Sequence, residues 1–474
     1  MDSPSDYTVP LWINGEALRE PLTTFPVIQS TTGNAVHQAA SATPQEALRA
    51  VASSKAAFRT WRNTSHVTRR ELLLKVATYY EKHADTLVKS QMFETSCDEA
   101  WAKQNVELAC RYLREIAAVI SSVNGTIPQL EKPGAMGFVF KEPVGPVLCI
   151  APWNAALILA TRGVASAIAA GCTVVFKASE LSPLTHYMIT RAFVEAGVPK
   201  GVLNQIQTRR EDAAEVTEAI IAHEAIRKVE FIGSAAVGRV IGQVAAKYLK
   251  PVLMELGGKG PAIVLDDADL EEAAKLAAMG AVVNHGQICF STERIIVHAA
   301  VAEKFQQLLI KAMDSAGSHA GCAVSPAIGK HANDMLRDAE SAGESFLMGG
   351  PSDSDIRLRP TIVLNPSTSR IVDEETFGPS ASLYIASSDD AAINIANGSA
   401  YGLNATIWST DMERALKMSR ELEYGQVHVN SISVYTSPTA SQGGVKGSGF
   451  GRQNGKWGVE EFLHDKFVSW HGKA

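Results

Sequence analysis

The sequence predicts an α/β protein of two lobes, each built on a mostly parallel sheet, and three observations lead there. From Val144 onward, apolar runs of four to seven residues alternate with helical stretches. A second series of the same texture runs from Asp269 to about residue 430. The chain has 474 residues, more than one compact core usually takes. Continuous apolar strands separated by helices are the pattern of a parallel sheet covered on both faces.

The elements follow in order. Leu11-Trp12-Ile13-Asn14-Gly15 reads as a short strand and a turn. Helical stretches are predicted over about 44–60, 66–90 and 94–124, with Leu72, Leu73, Val76 and Tyr79/Tyr80 at helical spacing. Thr43-Pro44-Gln45-Glu46 has the form of a capped helix start with proline in the first turn. Strands of the first series are predicted at Val147–Ile150, Thr173–Phe176, Val202–Ile206, Val229–Ile232, Pro251–Met254 and Ala262–Leu265. Those of the second are predicted at Arg294–Val297, Thr361–Val363, Ala405–Trp408 and Gln426–Val429, with the boundary near Glu255. Two stretches, 125–145 and 455–474, fit neither lobe. The second carries Lys466-Phe467-Val468-Ser469-Trp470, which alternates like an edge strand, and an apolar edge needs a pairing partner. Ser315–Pro326 shows no readable pattern.

Composition narrows the functional class. Hydrophobic residues make up 46% and charged residues 20%, which excludes an intrinsically disordered chain. Net charge is −6 with no dense Lys/Arg cluster, so small molecules are the expected partners rather than nucleic acid or a membrane. The six cysteines are scattered, with no C-x-x-C pair and no spacing suited to zinc, so no metal is expected. They read as reduced thiols in a cytoplasmic protein. Met1 to Pro10 lacks an apolar signal core, and no window of about 20 apolar residues exists to span a bilayer.

Five segments carry residue types suited to chemistry, and each has a plainer alternative. Cys289, in Asn284-His285-Gly286-Gln287-Ile288-Cys289, follows a small-residue helix and a glycine turn. Backbone N–H groups at such an element end favour a thiolate, although a lone cysteine is also a common core residue. Glu255 ends a strand and is followed by Gly257 and Gly258, which would let a carboxylate swing; a solvated turn glutamate looks the same. Asn154, in Pro152-Trp153-Asn154 after a strand, can donate to a developing oxyanion or simply make a turn. Gly233-Ser234-Ala235-Ala236-Val237-Gly238 is a strand–turn–helix step where a phosphate can sit on a helix N-terminus. Lys177-Ala178-Ser179-Glu180 ends another strand, and its lysine and glutamate suit ribose hydroxyls.

Taken together and in this order, the segments resemble the aldehyde dehydrogenase superfamily from about residue 10 to 470. P-W-N, K-x-S-E, G-S-x-x-V-G, E-L-G-G-K and G-Q-x-C are joined by E-E-x-F-G-P at Glu374–Pro379 and G-G-x-K-x-S-G-x-G-R at Gly443–Arg452. The resemblance implies that Cys289 is the nucleophile and Glu255 the general base. Asn154, with the backbone N–H of Cys289, would form the oxyanion hole. Lys177, Ser179 and Glu180 would meet the adenosine ribose, and Gly233, Ser234 and Val237 the pyrophosphate side. Trp153, Gly257, Glu375 and Phe377 would flank the nicotinamide end. The cofactor implied is NAD, with NADP possible, since Glu180 favours a free 2′-hydroxyl while Lys177 would accept a phosphate. The implied fold is a Rossmann-like cofactor domain (1–124 and 144–254), an α/β catalytic domain (255–445), and a small β oligomerisation hairpin (125–143 with 446–474), giving a homodimer or homotetramer.

The implied reaction is NAD(P)-dependent oxidation of an aldehyde to the acid through a thiohemiacetal and a thioester on Cys289. The alternatives are a coenzyme A-acylating enzyme, which generally lacks the base, and a non-catalytic homologue, which would lack the nucleophile. Within the superfamily the resemblance is to the salicylaldehyde/vanillin group. It rests on Lys177-Ala178-Ser179-Glu180, Asp212–Val216 with Ala222-His223, Ser291-Thr292-Glu293-Arg294, and Arg162 in the helix after Asn154. An aromatic, moderately polar substrate follows, with an aliphatic aldehyde or semialdehyde as the alternative. Arg162 would meet a ring hydroxyl or carboxylate, or form a structural ion pair. Phe290 would stack on a ring, and Gln442 stands where an apolar residue is common. Ile232 departs from the family by replacing a usual threonine.

Overall fold

The computed structural model describes residues 7–18, 23–317 and 320–472. The first six residues of the polar opening segment, and two residues inside Ser315–Pro326, lie outside the described residues. The first predicted helix is Pro44–Trp61, and its start is a capping box: Thr43 accepts from the Gln45 amide while Glu46 accepts from the Thr43 amide at 2.9 Å. The predicted helix 66–90 is two helices, His66–Lys82 and Ala84–Thr95, broken at His83. Periodicity missed the break because Leu72, Leu73, Val76, Tyr80, Leu87 and Val88 all enter the same core across it. Ser96 then turns left-handed and Asp98 caps the long helix Glu99–Val119.

The first large sheet holds the strands Pro146–Ile150, Thr173–Lys177, Leu203–Ile206, Lys228–Ile232 and Val252–Glu255, all parallel. Pro146–Ile150 lies between Thr173–Lys177 and Lys228–Ile232, so the winding reverses direction beside it. In open parallel sheets that reversal opens a crevice at the strands' carboxyl ends, where ligands bind. Trp153 and Asn154 follow one strand bordering the reversal, and Gly233 and Ser234 follow the other. Ile232 lies beside Glu255 in register, which puts the end of Val252–Glu255 next to the same crevice. The short strands Trp12–Ile13 and Glu16–Ala17 extend one edge antiparallel. The helix Ala156–Ala170, which leaves the crevice, is buried at every one of its positions.

The second sheet is seven-stranded, in the order Ser345–Met348, Thr361–Leu364, Ser380–Ala386, Thr292–His298, Gly260–Val264, Asn404–Trp408, Gln426–Val429. Gly260–Val264, predicted as Ala262–Leu265 just past the boundary at Glu255, belongs here. Ser380–Ala386 is a central strand that sequence reasoning missed. Its serines and the preceding Gly378-Pro379 resemble turn chemistry, yet it pairs parallel on both sides.

The two misfit stretches pair with one another. Ala135–Pro143 and Leu463–His471 run antiparallel in register from Pro143–Leu463 to Ala135–His471. The segment before them departs from expectation. Gly449–Phe450 joins the first sheet beside Val252–Glu255, and the short helix Gly455–Glu460 packs on Glu99–Val119 and Ala156–Ala170. Residues 449–460 therefore pack onto elements of the first lobe. Among the described residues no helix is long and apolar enough to cross a membrane.

Candidate active site

The peptide around Cys289 is held at many points. After the helix Leu270–Val282 the chain turns through Asn284, His285 and Gly286, all with positive φ. A Cβ at Gly286 would stand 2.1 Å from the Gly378 carbonyl, so only glycine permits this crossing. Gln287 donates to the carbonyls of Asn284 (2.9 Å) and Cys322 (3.1 Å) and accepts from the Val324 amide (2.8 Å). The unreadable stretch Ser315–Pro326 thus serves as the buttress of the cysteine loop. From the other side Gly258 approaches so closely that a Cβ would lie 2.4 Å from the Cys289 carbonyl.

Glu255 ends its strand facing this loop. One carboxylate oxygen, Oε1, lies 3.7 Å from the Cys289 sulphur. The other, Oε2, accepts from the Arg162 guanidinium at 2.5 Å and from the Gln442 amide at 3.2 Å. The glutamate is buried and doubly clamped, where the following glycines had suggested a swinging, solvated side chain. Asn154 is buried as well. Its carbonyl accepts from Trp101 Nε1 (3.0 Å) and Asn284 Nδ2 (3.2 Å), and its own amide donates to the Gln287 carbonyl at 3.0 Å. Its N–H donor is thereby aimed at the cysteine loop.

The expectation of a depressed Cys289 pKa is overturned. Burial pushes the thiol well above its ordinary range, and the negative charges of Glu255 and Glu375 push it further; Arg162 opposes them. Backbone dipoles do not outweigh a carboxylate in contact with the sulphur. Phe290 is also corrected: it is buried in the first-lobe core, not open for stacking.

The remaining predicted residues gather around the same crevice. Ser234 caps the helix Ala235–Lys247, accepting from the Val237 amide at 3.4 Å, and the Gly233 amide donates to the Glu255 carbonyl at 3.1 Å. Ser179 accepts from the Leu181 amide at 3.2 Å. Lys177 is buried at its strand end; desolvation lowers its pKa and the charge of Glu180 opposes that. Trp153 meets Phe377 edge-on, ring centroids 6.0 Å apart. Phe377 has φ +53°, held by Glu293, which accepts from the Thr376 and Phe377 amides at 2.8 and 3.0 Å. Lys259 pairs with Glu293 at 2.7 Å. Glu375 accepts from the Gly258 amide at 2.8 Å, and a Cβ on Gly257 would stand 2.2 Å from its carboxylate. Burial, with Glu293 nearby, pushes its carboxyl up to about 8.

Sequence reasoning missed the polar chain behind Glu255. Gln442, which stands where an apolar residue is common, has its amide spent on Glu255, Thr436 and Asn454. Glu230, inside a central strand, accepts from Gln453 at 2.9 Å and lies against Gly163. Its place in an apolar run was the one available signal, since a carboxylate there demands a partner.

A family model described as the aldehyde dehydrogenase family matches residues 17–468. A vanillin dehydrogenase of Pseudomonas fluorescens is 40% identical over 471 residues, covering 97% of each chain. The crystal structure of a salicylaldehyde dehydrogenase from Pseudomonas putida G7, complexed with salicylaldehyde, superposes with TM-score 0.95 at 35% identity, covering 98% of each chain. A betaine aldehyde dehydrogenase from Staphylococcus aureus, a point mutant in complex with NAD+, superposes with TM-score 0.92 at 29% identity, covering 98% of this chain and 97% of that one. The chain therefore belongs to the aldehyde dehydrogenase family. It is an NAD(P)-dependent enzyme that oxidises an aldehyde to a carboxylic acid.

The raised thiol gives the first prediction. Alkylation of Cys289 by iodoacetamide in the cofactor-free enzyme, followed by mass spectrometry, should keep accelerating above pH 9, because the thiolate is scarce below that. Glu255→Gln removes the neighbouring negative charge and frees Arg162, so alkylation at pH 8 should rise about tenfold, the effect of one pKa unit. A plateau below pH 8 in the wild type would refute the assignment.

Proposed function

We propose that the enzyme oxidises aromatic aldehydes, with Cys289 as nucleophile, Glu255 as general base and Asn154 as oxyanion donor. The observation that carries the roles is the contact of Glu255 Oε1 with the Cys289 sulphur at 3.7 Å, on a loop faced by the Asn154 amide. The substrate class is supported by the vanillin and salicylaldehyde dehydrogenases that the chain is similar to. The residues at the crevice suit a nicotinamide dinucleotide. Ser234 starts a 13-residue helix whose first N–H groups offer an anion site beside the sheet's reversal point. Lys177 and Glu180 stand at the next strand end for the adenosine ribose. Gly257, Glu375, Phe377 and Trp153 line the path toward Cys289.

In this scheme the Cys289 thiolate attacks the aldehyde carbon, and the oxyanion of the thiohemiacetal is met by Asn154 and the Cys289 N–H. Losing such a donor typically raises the barrier by about 3–4 kcal/mol. The nicotinamide, when bound, supplies the hydride acceptor. Glu255 then takes a proton from water as that water attacks the thioester, and the C–S bond breaks to release the acid and restore the thiolate. Sulphur serves both halves because it is a soft nucleophile and a good leaving group.

Two measurements test this. Cys289→Ala should abolish dehydrogenase activity, and Glu255→Gln should leave a burst of reduced cofactor followed by slow turnover. Equal loss of burst and steady rate would move Glu255 to thiol activation. Across benzaldehyde, hydroxylated benzaldehydes, hexanal and acetaldehyde, kcat/KM should favour the benzaldehydes, with NAD preferred over NADP. A tenfold advantage of hexanal, about 1.4 kcal/mol in transition-state binding, would sink the aromatic assignment and leave the reaction class intact.

We also infer a cytoplasmic homo-oligomer. All six cysteines are free thiols. The strands Ala135–Pro143 and Leu463–His471 leave Met136, Phe140, Val468 and Trp470 exposed on one side of the pair, an apolar face that a second copy of the chain would cover. Val468→Asp with Trp470→Asp should lower the mass seen by light scattering to that of one 50.7 kDa chain. An unchanged oligomer would remove this face as the interface.

A further inference from the structure

The helix Ala156–Ala170 is apolar and buried throughout, yet Arg162 lies at its middle. A guanidinium taken out of water is strongly unfavourable unless it is paired. Its partner is Glu255, at 2.5 Å, each side chain only 2% exposed. Arg162 also reaches Asn454 Oδ1 at 3.5 Å. Asn454 in turn donates to Gln442 Oε1 at 3.2 Å and to the Ser437 carbonyl at 3.0 Å. Gln442 Oε1 further accepts from Thr436 at 2.6 Å, and Thr436 meets the Tyr112 hydroxyl at 2.6 Å. With its oxygen filled by these donors, Gln442 turns its amide N–H onto Glu255. The backbones of Gln442 and Gln453 bridge one another at 2.6 and 3.1 Å, which fixes the segment carrying the clamp.

We propose that Arg162, seconded by Gln442, is a positioning residue for Glu255 that holds the base ionised and in place beside Cys289. The proposal rests on the reading of Glu255 as general base. Oε2 receives donors only, and an arginine never takes a proton, so protonating the carboxylate would break the ion pair. The demand for such a cation is clear from the groups around Glu255. Glu230 faces it from the Lys228–Ile232 strand, Tyr112 from Glu99–Val119, Cys289 from its loop, and Glu375 faces that same sulphur. Each of these either carries negative charge or acquires it on ionising, and Arg162 is the cation in contact with the pair's other oxygen. Oε1 is left to the sulphur side, where the thioester and its attacking water would stand.

Benzaldehyde, which has no ring substituent for Arg162 to meet, makes the test. Arg162→Gln should lower kcat about tenfold at pH 7 while KM stays within about twofold and the burst of reduced cofactor keeps its amplitude. Raising the pH should shrink the loss, because more base then ionises unaided. Arg162→Lys should recover part of the rate. In a Glu255→Gln background the substitution should add no further loss, since its effect runs through that carboxylate. Gln442→Met should act in the same direction and more weakly, and it decides the matter by the same profile if Arg162→Gln does not fold. A loss confined to KM, a loss equal at every pH, or an undiminished effect in the Glu255→Gln background would each overturn the proposal. Normal turnover by Glu255→Gln alone would instead remove the role of Glu255 as base, and the proposal with it.

Discussion

Charge taken out of water dictates much of what surrounds Cys289. Four carboxylates, those of Glu230, Glu255, Glu293 and Glu375, are buried or nearly so where the two large sheets meet. Two cations touch them: Arg162 pairs with Glu255 and Lys259 with Glu293. The carboxylates left with neutral donors, Glu230 with Gln453 and Glu375 with the Gly258 amide, are the ones whose pKa values rise. One junction therefore holds paired carboxylates and carboxyls poised to carry a proton. Burial is the first cause of both rises, and the charges of Arg162 and Lys259 only partly oppose it.

The same junction needs backbone to approach backbone. Gly258 and Gly286 carry the cysteine loop past neighbouring carbonyls, and neither position has room for a Cβ. Gln287 ties the loop to Cys322 and Val324. Positive φ at Asn284, His285 and Phe377 stores local strain that these contacts hold in place. The Thr376 and Phe377 amides converge on Glu293, so the Lys259–Glu293 pair shapes the Glu375–Phe377 turn that faces Trp153. A charge pair inside the second sheet thus reaches a residue at the mouth of the first.

The α/β character was readable because buried parallel strands must be apolar along their whole length, and Val147–Ile150, Thr173–Phe176 and Val229–Ile232 are. Failures came where that signal was mixed. Ser380–Ala386 is central but serine-rich, and its small hydroxyls are admitted because pairing on both sides satisfies its backbone. The break at His83 was hidden by an apolar stripe that continues across it.

Cys289, Glu255 and Asn154 could be named from their motifs because each stands next to glycine, proline or a strand end, and such local surroundings persist in the chain. Arg162, Gln442, Asn454 and Glu230 stand up to 292 residues from the groups they contact, with no local mark of which partner they will meet. Their meaning depends on burial. The guanidinium in the helix after Asn154 reads equally as a substrate contact or a structural ion pair until the helix is known to be enclosed on every face, and Gln442 reads only as a polar residue where an apolar one is common. Residue type and order were enough to identify the chemistry and its nucleophile. The protonation of that nucleophile, and the clamp on its base, were decided by which charges the fold brought together away from water, because electrostatic energy depends on distance and desolvation and neither is written along the chain.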